Sequence, residues 1–566
     1  IYFFLFVRSE PMNPFSAPEQ YAAFSKMRVL IVDDFENFRM SMKKILLNFG
    51  VEKVDVTKNG NEAVRACTDA KYDLILCDYN LGTGKNGQQV LEELRHLKLL
   101  KKTDIFVIVT ADSSKEVVMS AVENQPDEYL TKPVSQGVLK KRIEGAVAQK
   151  TSVLSINEAL DRQDNSKAIR LCAEAISSKT KFRSWCFKTM VHLYYQEGNF
   201  KLARQLYTES MSKRETVWAG IGLAKVEIAE GNYDAAELIC QKIIAQDSMN
   251  LAAHELLATI FEKNQELRKA QKSLEVAVNI SPLNILRQNK LGEICVENLD
   301  IERAMVAYRS AVNLGEYSCY HSPEAYLNFS RCLTDISDSD KSKQGKALFT
   351  EALEVLKLTK KKYGDSAEVK IQSLLIEIRA LSGQGYKEKA LEVLDQVQTL
   401  CDLPENTLSQ KTKLELARSL YSVDLAERGQ QVLNELAADN QSDQTLQKAI
   451  RDMLEEPYGY KKKIRARHLN KTSIKQAKEG DYAAAIATLK LAITETPMHT
   501  GLNLNLVQTQ LKLFEQLSPS LADIELCKSC IKKVSHIEEG HKQYKRLASL
   551  TKKVNKLMVN APVSSN

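Results

Sequence analysis

Tyr72-Asp-Leu-Ile-Leu-Cys-Asp78 is an apolar run too short for a helix, and it ends in a carboxylate beside the flexible Leu81-Gly-Thr-Gly-Lys-Asn-Gly87. Such a run reads as a buried parallel strand that delivers an acid to a loop. Three further runs end in polar groups. Met27-Arg-Val-Leu-Ile-Val-Asp33-Asp34 ends in two carboxylates, Ile105-Phe-Val-Ile-Val-Thr110-Ala111 in a hydroxyl, and Glu128-Tyr129-Leu-Thr-Lys132-Pro133 in an ammonium. In a doubly wound α/β sheet all four ends gather at the carboxyl edge of the strands, where such folds build their sites.

Three clustered carboxylates repel one another, so the site makes sense around a divalent cation, and oxygen ligands with room for water and phosphoryl oxygens suit Mg2+. Asp34 and Asp78 are the expected ligands, with Asp33 holding the ion or its water. Asp78 can then act as a nucleophile toward a phosphoryl group, as carboxylates do when they form acyl phosphates. Lys132 and the Thr110 hydroxyl would meet the transferred oxygens, which is positional and electrostatic catalysis.

The order of these residues, with 44 positions from Asp34 to Asp78 and 22 from Thr110 to Lys132, resembles the receiver domain of two-component response regulators. The resemblance covers residues 27–150 and implies a flavodoxin-like doubly wound fold. It also implies that Asp78 is the phosphoacceptor and Asp33 and Asp34 the acidic pair. Asn80 would offer its backbone carbonyl to the metal, and Thr110 and Tyr129 would be the switch pair. Ala111 keeps the small residue that leaves the phosphate approachable. One departure stands out: the loop after Asp78 lacks the family's usual proline and reaches Gly87 one residue late, with Gly82 and Gly84 inside it.

Before the receiver, Ile1-Tyr-Phe-Phe-Leu-Phe-Val7 is too short and wrongly flanked for a signal peptide or a membrane span. Residues 1–26 are expected to be a loosely ordered leader, with the first eleven an upstream reading artefact or trimmed. The chain's 44% apolar and 27% charged residues suit a globular protein of several domains, and no stretch is apolar enough to cross a bilayer. Eleven scattered cysteines fit a reducing compartment, so the expected location is cytoplasmic. Cys527-Lys-Ser-Cys530 has no second ligand pair and sits in an amphipathic helical pattern, which favours a core role. A net charge of +7 spread over this length argues against nucleic acid.

After Pro133 the pattern is helical. Ser135 to about Arg162 lacks proline, so the last receiver helix is expected to run straight into the next domain. Beyond it a period emerges. Gly198-Asn-Phe-Lys-Leu-Ala203 recurs as Gly231-Asn-Tyr-Asp-Ala-Ala236, and alanine returns at Ala270 and Ala304. Leu257, Ala258, Phe261, Ala270, Leu274, Ala277 and Pro282 fill the small-and-large pattern of a tetratricopeptide repeat. Residues 151–436 therefore resemble an all-α tetratricopeptide superhelix, in which small residues let paired helices approach. Asp335-Ile-Ser-Asp-Ser-Asp-Lys-Ser-Lys343 interrupts it as a polar insertion. Residues 437–470 read as an irregular connection, with a turn at Glu456-Pro-Tyr-Gly459 and a basic cluster at Lys461-Lys-Lys-Ile-Arg-Ala-Arg467 that is more simply a solvated helix face. A further repeat around Gly480-Asp-Tyr-Ala-Ala-Ala485 and capping helices fill 471–558, and 559–566 is a tail.

The expected function is that of a response regulator. A sensor histidine kinase or phosphotransfer protein would phosphorylate Asp78, and the repeat array would bind a protein partner under that control, homodimerisation being one outcome the resemblance admits. The alternative is a phosphorylation-silent scaffold, or a decoy or phosphate sink that binds a kinase or co-regulator. No second catalytic constellation argues for an enzyme.

Overall fold

The computed structural model describes residues 24–112, 114–178, 180–213, 216–403, 408–455, 459–534, 537 and 543–559. Most of the expected leader, the 456–458 part of the expected turn and most of the tail lie outside these residues. Two compact units are present, one of residues 1–298 with 309–322, the other of 299–308 with 323–566.

The first unit begins with a parallel five-stranded sheet of β1 (Arg28–Val32), β2 (Lys53–Thr57), β3 (Leu74–Asp78), β4 (Ile105–Thr110) and β5 (Glu128–Thr131), in the order β2-β1-β3-β4-β5. The connections are α1 (Glu36–Asn48), α2 (Gly60–Asp69), α3 (Gly87–His96) and α4 (Lys115–Asn124), and α5 (Gln136–Ser152) closes the layer. Strand side chains alternate between two cores. Val29, Ile31, Leu74, Leu76, Val107 and Val109 pack on Met42 and Leu46 of α1 and Leu139 and Ile143 of α5. Leu30, Ile75, Cys77, Phe106 and Ile108 face Val64, Val90, Leu91 and Val117 of α2, α3 and α4. Burial on both faces explains why these strands read as continuous apolar runs.

α5 starts where its sequence suggests, capped by the Ser135 side chain. It does not continue to Arg162, however. Ser152 Oγ turns back onto the Ala148 carbonyl at 2.8 Å, and Val153 leaves helical geometry at φ −115° to bury in the core that opens the repeats. A serine bonded to the preceding turn bends a helix. A separate helix, Leu154–Asp161, follows.

From Asn165 to Glu297 each helix packs on the next. Their regularity shows in the turns. Gln163, Gly198, Gly231, Gln265 and Leu299 all have φ between 59° and 81°, and they recur at intervals of 33 to 35 residues. Five positions after each stands a fully buried alanine: Ala168, Ala203, Ala236, Ala270 and Ala304. The same pairing returns as Gly385 with Ala390 and Gly480 with Ala485. A left-handed residue reverses the chain, which glycine does without strain, and a side chain of one carbon lets the second helix lie close on the first.

In the second unit, the stretch expected to be irregular is largely helical, and that expectation is corrected. Gln444–Glu455 and Tyr460–Lys478 are helices, the first burying Leu446, Ile450 and Met453 on one side. A three-to-four residue spacing of apolar groups is enough for a helix despite polar neighbours. The basic cluster opens the second of these helices, where Arg465 pairs with Glu495 at 2.9 Å and Lys461 donates to the Asp338 carbonyl at 3.0 Å. Cys527 and Cys530 are buried free thiols on Leu521–Lys533. Among the described residues no helix is long and apolar enough to cross a membrane.

Candidate functional site

The carboxyl edge of the sheet gathers the groups that the sequence singles out. Parallel registers set Val32 beside Cys77 and Asp78 beside Val109, so the residues leaving β1, β3 and β4 emerge together. Backbone hydrogen bonds fix the exits: Tyr79 N–H donates to the Val109 carbonyl at 2.8 Å and Lys132 N–H to the Thr110 carbonyl at 2.7 Å.

Lys132 is the centre of the arrangement. Its ammonium donates to Asp33 Oδ2 at 2.7 Å and to Asp78 Oδ2 at 2.8 Å, and it lies 4.2 Å from the Phe38 ring centroid. Asp33 and Asp78 are both buried, at 1% and 6% exposure, so a single cation bridges two carboxylates withdrawn from water. Burial pulls the Lys132 pKa down, but the hydrogen bonds and charges of Asp33 and Asp78 outweigh it and leave the ammonium above the usual lysine range. For Asp78, burial prevails over the Lys132 hydrogen bond and raises its carboxyl above the usual range.

Asp33 is held from its other side as well. Its Oδ1 accepts from Phe35 N–H at 2.8 Å, and its carbonyl accepts from Arg39 Nη1 at 2.7 Å. Asp34 is exposed and turned toward the Gly82 loop, where a Cβ on Gly82 would stand 3.5 Å from Asp34 Oδ2. Asp33, Asp34 and Asp78 each bring a carboxylate oxygen within 4.8 Å of the others. Asp78 Oδ1 is buried and makes no hydrogen bond. A buried carboxylate oxygen without a donor is what a cation ligand looks like before the cation is counted, so the donor set fits a hard divalent ion.

Thr110 and Tyr129 meet at one residue. Thr110 Oγ1, fully buried, accepts from Asp112 N–H at 3.0 Å, while the half-buried Tyr129 donates its hydroxyl to the Asp112 carbonyl at 3.2 Å. Asn80 lies beside the acidic cluster, and its side chain accepts from Gly82 N–H at 3.4 Å.

A family model described as the response regulator receiver domain matches residues 29–144. This stretch is a receiver domain. The chain is 29% identical over 118 residues to chemotaxis protein CheY of Pseudomonas aeruginosa, covering 21% of this chain and 94% of that protein. It is 30% identical over 118 residues to regulatory protein VanRB of Enterococcus faecalis, covering 21% of this chain and 51% of that protein. Among solved structures, the response regulator TrrA of Thermotoga maritima in complex with Mg(2+)-BeF is 29% identical, with a TM-score of 0.19, over 21% of this chain and 98% of that one. Receiver domains are the phosphoacceptors of two-component systems and interact with histidine kinases or phosphotransfer proteins. They generally bind Mg2+ in an acidic pocket, which here is the cluster of Asp33, Asp34 and Asp78.

Three contributors to the receiver site escaped the sequence. Arg39 and Phe38 sit in the first turns of α1, where a basic and an aromatic residue look like surface and core. Gly87 was visible only as a loop marker, yet a Cβ there would come within 2.2 Å of the Asp78 carbonyl. Its N–H also donates to the Tyr79 carbonyl at 2.8 Å, so α3 starts directly against the acid-bearing strand.

Proposed function

We propose that the chain is a response regulator whose receiver accepts a phosphoryl group on Asp78 from a sensor histidine kinase or phosphotransfer protein, and whose helical array, of tetratricopeptide type, binds a protein partner under that control. The observation that carries this reading is the Lys132 bridge between Asp33 and Asp78, together with the unsatisfied Asp78 Oδ1.

Asp34, Asp78 and the Asn80 carbonyl would hold Mg2+, with Asp33 holding the ion or its water. The ion would supply the positive charge that draws phosphoryl oxygens to a carboxylate site. An Asp78 oxygen attacks phosphorus as the P–N bond of a phosphohistidine breaks. The imidazole nitrogen leaves with the bonding pair and takes up a proton. Lys132, already placed 2.8 Å from Asp78, neutralises charge on the transferred oxygens. The product is an acyl phosphate on Asp78.

The switch follows from Asp112. When the Thr110 hydroxyl turns to the phosphoryl group it gives up Asp112 N–H, and Tyr129 is tied to the other side of the same residue. Both switch residues therefore act on the segment that leads into α4. The buried alanines and left-handed turns of the array support a stacked repeat superhelix, whose concave surface suits a peptide or helix of a partner. Eleven cysteines scattered along the chain support a reducing compartment, and we place the protein in the cytoplasm.

The site is tested by 19F NMR of the full chain with Mg2+ and beryllofluoride, an analogue of the phosphoryl group that needs both a carboxylate and a cation. A bound resonance that is absent from Asp78→Asn and abolished by EDTA is expected. A wild-type spectrum showing free beryllofluoride alone would overturn the phosphoacceptor reading.

A further inference from the structure

Within the first unit the receiver meets its own repeats through α3 and α4. Gln89 Nε2 donates to the Leu314 carbonyl at 3.1 Å, and the His96 and Tyr320 rings meet edge to face at 6.1 Å. The most elaborate contact is at the end of α4. There the Glu123 carboxylate accepts from Ser281 Oγ at 2.8 Å, from Asn284 Nδ2 and from Arg287 Nη2.

The three donors are fixed by the array itself. The Arg287 side chain is 2% exposed, and its Nε pairs with Glu255 at 2.8 Å. Its Nη1 donates to the Ser281 carbonyl, and its own N–H is capped by Asn284 at the start of Ile285–Glu297. The guanidinium is thus aimed by groups that owe nothing to the receiver, with Nη2 left for a carboxylate from outside. Surface ion pairs hold little, because water and side-chain entropy offset them. A buried, pre-aimed guanidinium that shares its carboxylate with two neutral donors is a recognition element.

We propose that Ser281, Asn284 and Arg287 are a carboxylate-binding site of the repeat array, made for a glutamate presented by a helix, and that the receiver's α4 fills it through Glu123. An acidic helix of a partner protein then competes with α4 for the same three donors. Control of this latch by phosphorylation rests on the phosphoacceptor reading above, and the route is short. Asp112, held by Thr110 and Tyr129, accepts on Oδ1 from Ser114 N–H at 2.7 Å, and the Ser114 carbonyl accepts from Val118 N–H at 3.0 Å in the first turn of α4. A shift at Asp112 is carried to Glu123 along one helix.

Hydrogen exchange of the full chain, read by mass spectrometry, tests both parts. Glu123→Ala removes the occupant from the receiver's side and leaves the array's own contacts intact. Amides of α4 and of residues 281–287 are expected to exchange about 10- to 100-fold faster, the factor set by losing hydrogen bonds to a charged group. Arg287→Ala should release α4 equally, and the double variant should release it no further; amides of Val217–Ala229, an earlier helix of the array, serve to show that the array stays folded. Unchanged exchange at 281–287 in Glu123→Ala would overturn the site. With acetyl phosphate and Mg2+, wild-type α4 should approach the rates of that variant, whereas Asp78→Asn should not respond. Labelled Asp78 with an unmoved latch would overturn phosphorylation control and leave the site standing. Absent labelling would instead count against the phosphoacceptor reading, and the site is then decided by the Glu123 variant alone.

Discussion

Replacing Lys132 by Met keeps the length of the side chain and removes the charge that bridges Asp33 and Asp78. Both carboxylates are nearly fully buried, so the variant leaves two negative groups facing each other without the ammonium that each now meets within 2.8 Å. Removing one partner of a buried ion pair costs about 3–5 kcal/mol. With the Lys132 side chain 19% exposed, the lower figure applies. The sign with pH is fixed by Asp78. Burial already raises its carboxyl against the Lys132 hydrogen bond, and without lysine it rises further. A folded state that binds more protons than the unfolded one loses stability as pH rises through the window between the two pKa values. The penalty of the variant is therefore larger at pH 7.5 than at pH 5, and Mg2+ should reduce it by restoring positive charge. Wild-type Lys132 carries the same sign in a higher pH window. Its raised pKa stabilises the fold below the usual lysine range, and that contribution fades as pH climbs through the raised value. Because the chain has two units, a single unfolding curve is the wrong readout. Amide exchange in β3 and β4 follows the opening of the sheet itself. Exchange in Leu74–Asp78 at wild-type rates, at pH 7.5 in EDTA, would refute the electrostatic account of this site.

Gly87→Ala places a Cβ 2.2 Å from the Asp78 carbonyl, so α3 must shift; a loss of about 1–3 kcal/mol in the same exchange measurement is expected. In the second unit, burial would raise the Glu415 carboxyl, but Arg379, Arg331 and Arg418 hold it at about 2, so its contribution is present above the usual carboxylate range and lost only as pH falls toward that value. Glu415→Gln should cost the second unit about 3–5 kcal/mol at neutral pH by leaving Arg331 and Arg379 short of a partner, which calorimetry would show as a lowered transition in that unit. Burial pushes the Cys527 thiol up to about 12 and raises Cys530 as well, so neither should react with iodoacetamide at pH 8 in the native chain, as peptide mass spectrometry would show.

The receiver was legible because its chemistry is carried by strand ends. A buried parallel strand must be apolar throughout, so a carboxylate, hydroxyl or ammonium that ends one is conspicuous, and the intervals between Asp34, Asp78, Thr110 and Lys132 follow from the α/β units that separate them. The array was legible through Gly198, Gly231, Gly385 and Gly480, since glycine marks a left-handed turn. At Gln163, Gln265 and Leu299 the same turn is made by residues with no such preference, and only the alanine five positions later betrays it. The break at Val153 depends on one serine bonding back to its own helix, a choice that a proline-free, largely helical stretch does not announce. Contacts between distant segments were out of reach. Nothing in Glu123 or Arg287 taken alone says that one is aimed at the other across 164 positions.

The central claim, that Asp78 is a live phosphoacceptor, is tested most directly by incubating the full chain with acetyl phosphate and Mg2+ and measuring the intact mass, with Asp78→Asn alongside. A gain of one phosphoryl group that is stable in acid, lost in base and absent from the variant is the predicted result. An unmodified mass, from a folded chain that binds Mg2+, would contradict the account.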